Sequence, residues 1–69
     1  MTAKQVVRAI VKLGGWFVRQ KGSHAVYAAE GGCMTVVPMH SGDMPIGTLA
    51  CIERDLAPCL GANWLRGGR

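Results

Sequence analysis

Acidic side chains are scarce in this 69-residue chain: four Asp and Glu stand against eight Lys and Arg, for a formal net charge of +4. That imbalance directs the protein toward anionic partners, nucleic acid first and an acidic protein second. There is no uninterrupted apolar run of about 18 residues, which excludes a transmembrane helix, and no charged segment leads into an apolar core as in a secretory signal. The cytoplasm is therefore the expected compartment. Cysteines number only three, Cys33, Cys51 and Cys59. An odd count at wide spacing argues against a secreted disulfide scaffold, so all three are read as buried or surface thiols. No Cys-x-x-Cys or His-x₃-His spacing supports zinc, and the glycine-rich stretches lack the Lys-Ser/Thr that ends a phosphate-binding P-loop. No metal or cofactor is expected. A chain this short buries only about 60% of its unfolded surface, so any active site must be shallow.

What is present reads as one small α+β domain. Thr2-Ala3-Lys4-Gln5 matches a capping box, and Ala3, Val6, Val7, Ile10 and Leu13 recur at helical spacing, which predicts a helix from about Ala3 to Leu13. Lys4, Arg8 and Lys12 form its outer stripe, and Gly14-Gly15 supplies a left-handed end. Trp16–Gln20, His24–Ala29 and Met34–Met39 are β-prone and joined by short turns, which makes an antiparallel meander. In the first of these strands Phe17 alternates with Trp16 and shares a face with Arg19. In the second, His24, Val26 and Ala28 share one face, and Ala25, Tyr27 and Ala29 the other. Pro45 suits the start of a second helix. Ile46, Leu49, Ile52 and Leu56 are its apolar stripe, Glu53, Arg54 and Asp55 face water, and Pro58 ends it. Residues 1–58 form the domain, and residues 59–69 are a loosely packed tail with Trp64 as its one anchor. Two helices covering one face of a three-stranded sheet make a two-layer sandwich whose other face is open and flanked by cations.

Only two histidines exist, His24 and His40. His24 follows Gly22-Ser23, with Arg19 and Lys21 just upstream. A titratable imidazole beside two cations suits metal-independent RNA cleavage, which needs a base for the ribose 2′-OH, positive charge for the crowded phosphorane and an acid for the leaving oxygen. By itself, a histidine at a strand start is more often a structural or surface residue. Tyr27 could stack on a base, but its parity places it opposite His24, on the helix-covered face. Lys4, Arg8 and Lys12 read equally as phosphate contacts or as an ordinary solvated surface.

The longer string is more specific. Gly15-Trp16-Phe17-Val18-Arg19-Gln20-Lys21-Gly22-Ser23-His24-Ala25-Val26-Tyr27, then Thr35-Val36-Val37-Pro38-Met39-His40, then Pro45-Ile46-Gly47-Thr48-Leu49, closely resembles the HicA toxin family. The resemblance runs from the first helix to about Asp55. It implies a fold like the double-stranded-RNA-binding domain, in α-β-β-β-α order. It also implies a toxin that cleaves mRNA and is silenced by a cognate HicB-like antitoxin. The family's catalytic histidine falls on His24 and its preceding glycine on Gly22. Arg19, Lys21, Gly22 and Ser23 are the accompanying RNA-binding candidates. His40, from the Pro-x-His segment, and Lys12 are secondary candidates. After the second helix this chain departs from the family, with Ala57-Pro58-Cys59-Leu60-Gly61-Ala62-Asn63-Trp64 in place of an alanine-glycine-leucine turn. The alternative to a nuclease is a non-catalytic RNA-binding module of the same fold.

Overall fold

Thr2 caps the first helix. Its hydroxyl accepts from the Gln5 backbone N–H, and the Gln5 side chain accepts from the Thr2 backbone N–H, so the capping box closes. In the computed structural model, which describes residues 1–66, helix α1 spans Ala3–Lys12. Strands β1 (Trp16–Lys21), β2 (His24–Ala29) and β3 (Cys33–Pro38) follow, and then helix α2 (Ile46–Leu60). The sheet is antiparallel in the order β1-β2-β3. This is the expected α-β-β-β-α sandwich.

The core lies between the helices and the β2–β3 half of the sheet. Val6 and Ile10 of α1, Ala25 and Val37 of the sheet, and Ile52 and Leu56 of α2 are all within 1% of full burial. Helical periodicity foresaw most of this set, but Leu13, which falls just past α1 as its C-cap, is 47% exposed, and Ile46, the first residue of α2, is 75% exposed. Gly14 takes a φ of 99°, which ends α1. Gly15 is held by a different constraint: a Cβ there would lie 2.5 Å from Ile10 Cγ2 and 2.9 Å from the Ala28 carbonyl. The chain can pass from α1 into β1 this close to the core only without a side chain.

Strand β1 is exposed along its whole length. Its regular alternation fails at one place. Trp16 pairs with Ala28 and Phe17 with Tyr27, but the next pair is Arg19 with Val26, so Val18 is the extra residue of a β-bulge. Phe17 therefore faces the helices, meeting the Tyr27 ring edge-on with centroids 5.6 Å apart. Arg19 faces the open side with Val26. Strict alternation would have put Phe17 and Arg19 on one face, and the bulge corrects that expectation.

The C-terminal part differs most from the sequence reading. Helix α2 does not end at Pro58 but continues to Leu60, with the Gly61 N–H bonded to the Ala57 carbonyl at 2.8 Å. A proline there removes one helical hydrogen bond, and the last turn is held instead by a Cys33–Cys59 disulfide to β3. Those two cysteines are thus paired rather than free, and Cys51 remains an exposed thiol. Glu53 does not face water. It is 7% exposed and accepts the backbone N–H groups of Leu65 (3.1 Å) and Arg66 (2.8 Å), together with the Arg66 guanidinium (3.0 Å). The Trp64 indole N–H adds a 2.8 Å bond to the Glu53 carbonyl, so the expected anchor is in place. Residues 67–69 of the expected tail lie outside the described residues.

Candidate functional site on the open sheet face

The site is organised by the turn between β1 and β2. Gly22 has a φ of 60° at the first position of a two-residue loop, as a type II′ hairpin turn requires. The Gln20 side-chain amide donates to the Gly22 carbonyl at 2.9 Å and braces the turn. This fixes Lys21 opposite His24 in the ladder. Directly opposed residues on one face of an antiparallel pair have Cβ atoms about 5 Å apart. The ammonium of Lys21 and the imidazole of His24 therefore leave the sheet side by side.

Strand alternation adds Arg19 to this pair. It lies two residues before Lys21, with the bulge beyond it, and stands opposite Val26 on the His24 side of the sheet. Arg19, Lys21, Gly22, His24, Val26 and Val36 line one shallow hollow of about 530 Å³. An exposed imidazole, two permanent cations and an unobstructed glycine backbone thus meet over an apolar floor. Such an arrangement can hold an anion against the floor while the imidazole exchanges a proton with it.

The other candidates are placed differently. Ser23 occupies the turn half-buried, and its carbonyl accepts from the Met39 N–H at 2.6 Å, which ties the turn to the end of β3. It does not line the hollow. His40 lies beyond β3, exposed, in a separate hollow with Thr2, Lys4 and Ser41. Lys12 lies with Lys4, Val7, Arg8 and Val11 of α1 and with Met39, in a hollow of about 570 Å³ that shares no residue with the one at His24. Tyr27 is 8% exposed on the helix-covered side, as its parity predicts. Cys33, Cys51 and Cys59 do not gather with either histidine, since two are joined to each other and the third stands on α2.

Two local features carry no signal in the sequence. Val18 has no turn or glycine signal to mark a bulge. Asp55 accepts a 3.0 Å bond from the buried Thr35 hydroxyl and closes a second hollow that adjoins the first.

These features define a small basic α+β domain whose open sheet face brings one histidine and two cations together. The family model described as the HicA toxin of bacterial toxin-antitoxin systems matches residues 3–57, and the chain belongs to that family. It is thus the toxin member of a toxin–antitoxin pair, and a HicB-type antitoxin is its implied partner. No curated protein matches the chain. Among the described residues no helix is long and apolar enough to cross a membrane.

Proposed function

We propose that the protein is a metal-independent endoribonuclease that cleaves mRNA and so arrests translation, with His24 as its catalytic histidine. The observation that carries this reading is the convergence of Arg19, Lys21 and His24 on one face, which the alternation of β1 and the two-residue turn produce together. RNA supplies its own nucleophile, the 2′-OH, so a shallow face suffices if it holds the phosphate and moves a proton. Arg19 and Lys21 bind the scissile phosphate and stabilise the charge that builds on it. Gly22 presents backbone without a side chain, which lets the RNA strand lie close to the turn. His24 takes the 2′-OH proton or protonates the leaving oxygen. Ser23 positions the turn rather than attacking, and among the described residues no hydrogen bond joins its hydroxyl to an acid as a triad requires.

A HicB-like antitoxin silences the enzyme most directly by covering the His24 face, where its acidic groups meet Arg19 and Lys21. The protein acts in the cytoplasm, where mRNA is available. The deciding experiment is the His24→Ala variant, checked for an unchanged unfolding temperature and for retained RNA binding. Loss of cleavage and of growth arrest is the expected result; retained cleavage overturns the reading.

A further inference from the structure

The hollow at His24 does not end at Val36. A second hollow of about 290 Å³ shares Arg19, Val26 and Val36 with it, then continues over Met34 and around the edge of β3 to Thr48 and Asp55 of α2. The volume lies near the lower limit of about 300 Å³ for small-ligand sites. Its chemistry differs from that of its neighbour. The floor is apolar, with Met34 and Val36 each 49% exposed. Beyond the shared Arg19, its ionisable groups are the Asp55 carboxylate and the Cys51 thiol. The Thr35 hydroxyl, itself 3% exposed, donates to Asp55 Oδ2 and fixes the carboxylate at the rim. That bond uses one of about four lone-pair sites on the group.

A strand whose phosphate sits on Arg19 and Lys21 must place its next part along the shared wall. A second phosphate is repelled by Asp55. A base is not, because its flat face covers the valines and methionine while its N–H groups meet the carboxylate. Among the four RNA bases, only guanine carries two adjacent donors, N1–H and N2–H₂, on one edge, matched to the two oxygens of a carboxylate. Adenine and cytosine offer one amino group beside a ring acceptor, and uracil one N–H between two carbonyls. The guanine O6 acceptor lies next to its donors, where the Thr48 hydroxyl can donate to it.

We propose that this second hollow is a base-selective subsite that takes guanine next to the cleaved bond, with Asp55 reading N1–H and N2–H₂ and Thr48 reading O6. The assignment rests on the nuclease reading above for its place in the reaction. It also makes a claim about ligand binding that stands without catalysis.

Two measurements test it. In the first, a pool of random single-stranded RNA is cut by the parent protein and by Asp55→Asn, and the new ends are sequenced. Asparagine can still accept from Thr35 but turns an amide donor toward the base. The expected result is guanine enrichment of about tenfold or more at one position beside the cut, abolished in Asp55→Asn while cutting continues. Cut sites without guanine enrichment, or enrichment that survives the substitution, overturn the subsite. If Asp55→Asn does not fold, the isosteric Thr48→Val carries the same test with the same two outcomes. The second measurement uses the Cys51 thiol, which lines this hollow and is the free cysteine, as a reporter. Guanosine 3′-monophosphate should slow its alkylation more than uridine 3′-monophosphate does, and equal protection overturns the subsite. A parent protein that cuts no RNA overturns the nuclease reading, and the alkylation result then decides the guanine site alone.

Discussion

Lys21 and His24 stand opposite each other across the Gly22-Ser23 turn, so the cation is built into the same hairpin that presents the imidazole. Arg19 shares that face because it lies two residues before Lys21 in β1, with the bulge at Val18 on its far side. If the two cations bind phosphate, Arg19→Gln and Lys21→Gln should weaken binding to single-stranded RNA by similar factors whatever its sequence. Each should also lower the slope of log K against log salt by about 0.7, the value per neutralised phosphate on a single strand. Binding isotherms at several salt concentrations, on the His24→Ala background to prevent cutting, check this. Unchanged slopes would remove both residues from the phosphate contact.

The grouping of Arg19, Lys21 and His24 was legible in the sequence because a short hairpin leaves few ways to arrange its flanks. Helix α1 was legible for a similar reason: its cap, apolar stripe and glycine end are all local signals. The bulge was not, since Val18 is as β-prone as its neighbours and the extra residue shows only in pairing with β2. Glu53 left a trace that went unread. It lies four residues after Leu49 and three before Leu56, on the buried stripe of α2, and a carboxylate in that position needs donors from elsewhere in the chain. The donors come from Leu65 and Arg66, twelve and thirteen residues away, and no spacing rule reaches that far. The Cys33–Cys59 bond is likewise a product of tertiary structure, because β3 and the end of α2 become neighbours only after both have packed.

The disulfide closes a loop with a sequence separation of 26. Chain-entropy arguments give such a closure about 3 kcal/mol of stabilisation. Reduction, or the Cys33→Ser and Cys59→Ser pair, should therefore lower the unfolding temperature by roughly 10 °C or more in a domain this small. Mass spectrometry after alkylation supplies the count: one labelled thiol, on Cys51, in the native protein and three after reduction. Three labels without reductant would show that the bond is absent.

Gly15 and Gly14 are adjacent but should respond differently to alanine. At Gly15 the added methyl meets Ile10 and the Ala28 carbonyl, both part of the packed interior. Gly15→Ala should cost about 1–3 kcal/mol as an overpacking change, and Ile10→Ala should relieve part of it. At Gly14 there is open space around a new Cβ, and the cost comes only from the φ of 99°. Ile10→Ala should leave the Gly14→Ala penalty unchanged. A double-mutant cycle in urea separates the two cases, and equal coupling at both positions would contradict the geometry.

Glu53 makes the strength of the C-terminal clasp depend on pH in a definite direction. The Arg66 backbone N–H, helped by its guanidinium and the Leu65 N–H, holds the carboxyl below its ordinary value of 4.5, while burial opposes the shift and is outweighed. A carboxyl whose folded value is depressed contributes stability above its unfolded value and loses it as pH falls through the folded one. The clasp is therefore complete at neutral pH and weakens below pH 4.5. Glu53→Gln keeps one acceptor but turns an amide donor toward the Leu65 and Arg66 N–H groups, so it should cost about 1–3 kcal/mol at neutral pH. It should also flatten the fall in stability between about pH 5 and pH 3, because the variant has no charge to lose there. Unfolding curves for both proteins across that range test the point. If the two lines stay parallel in acid, protonation of Glu53 is not what loosens the clasp.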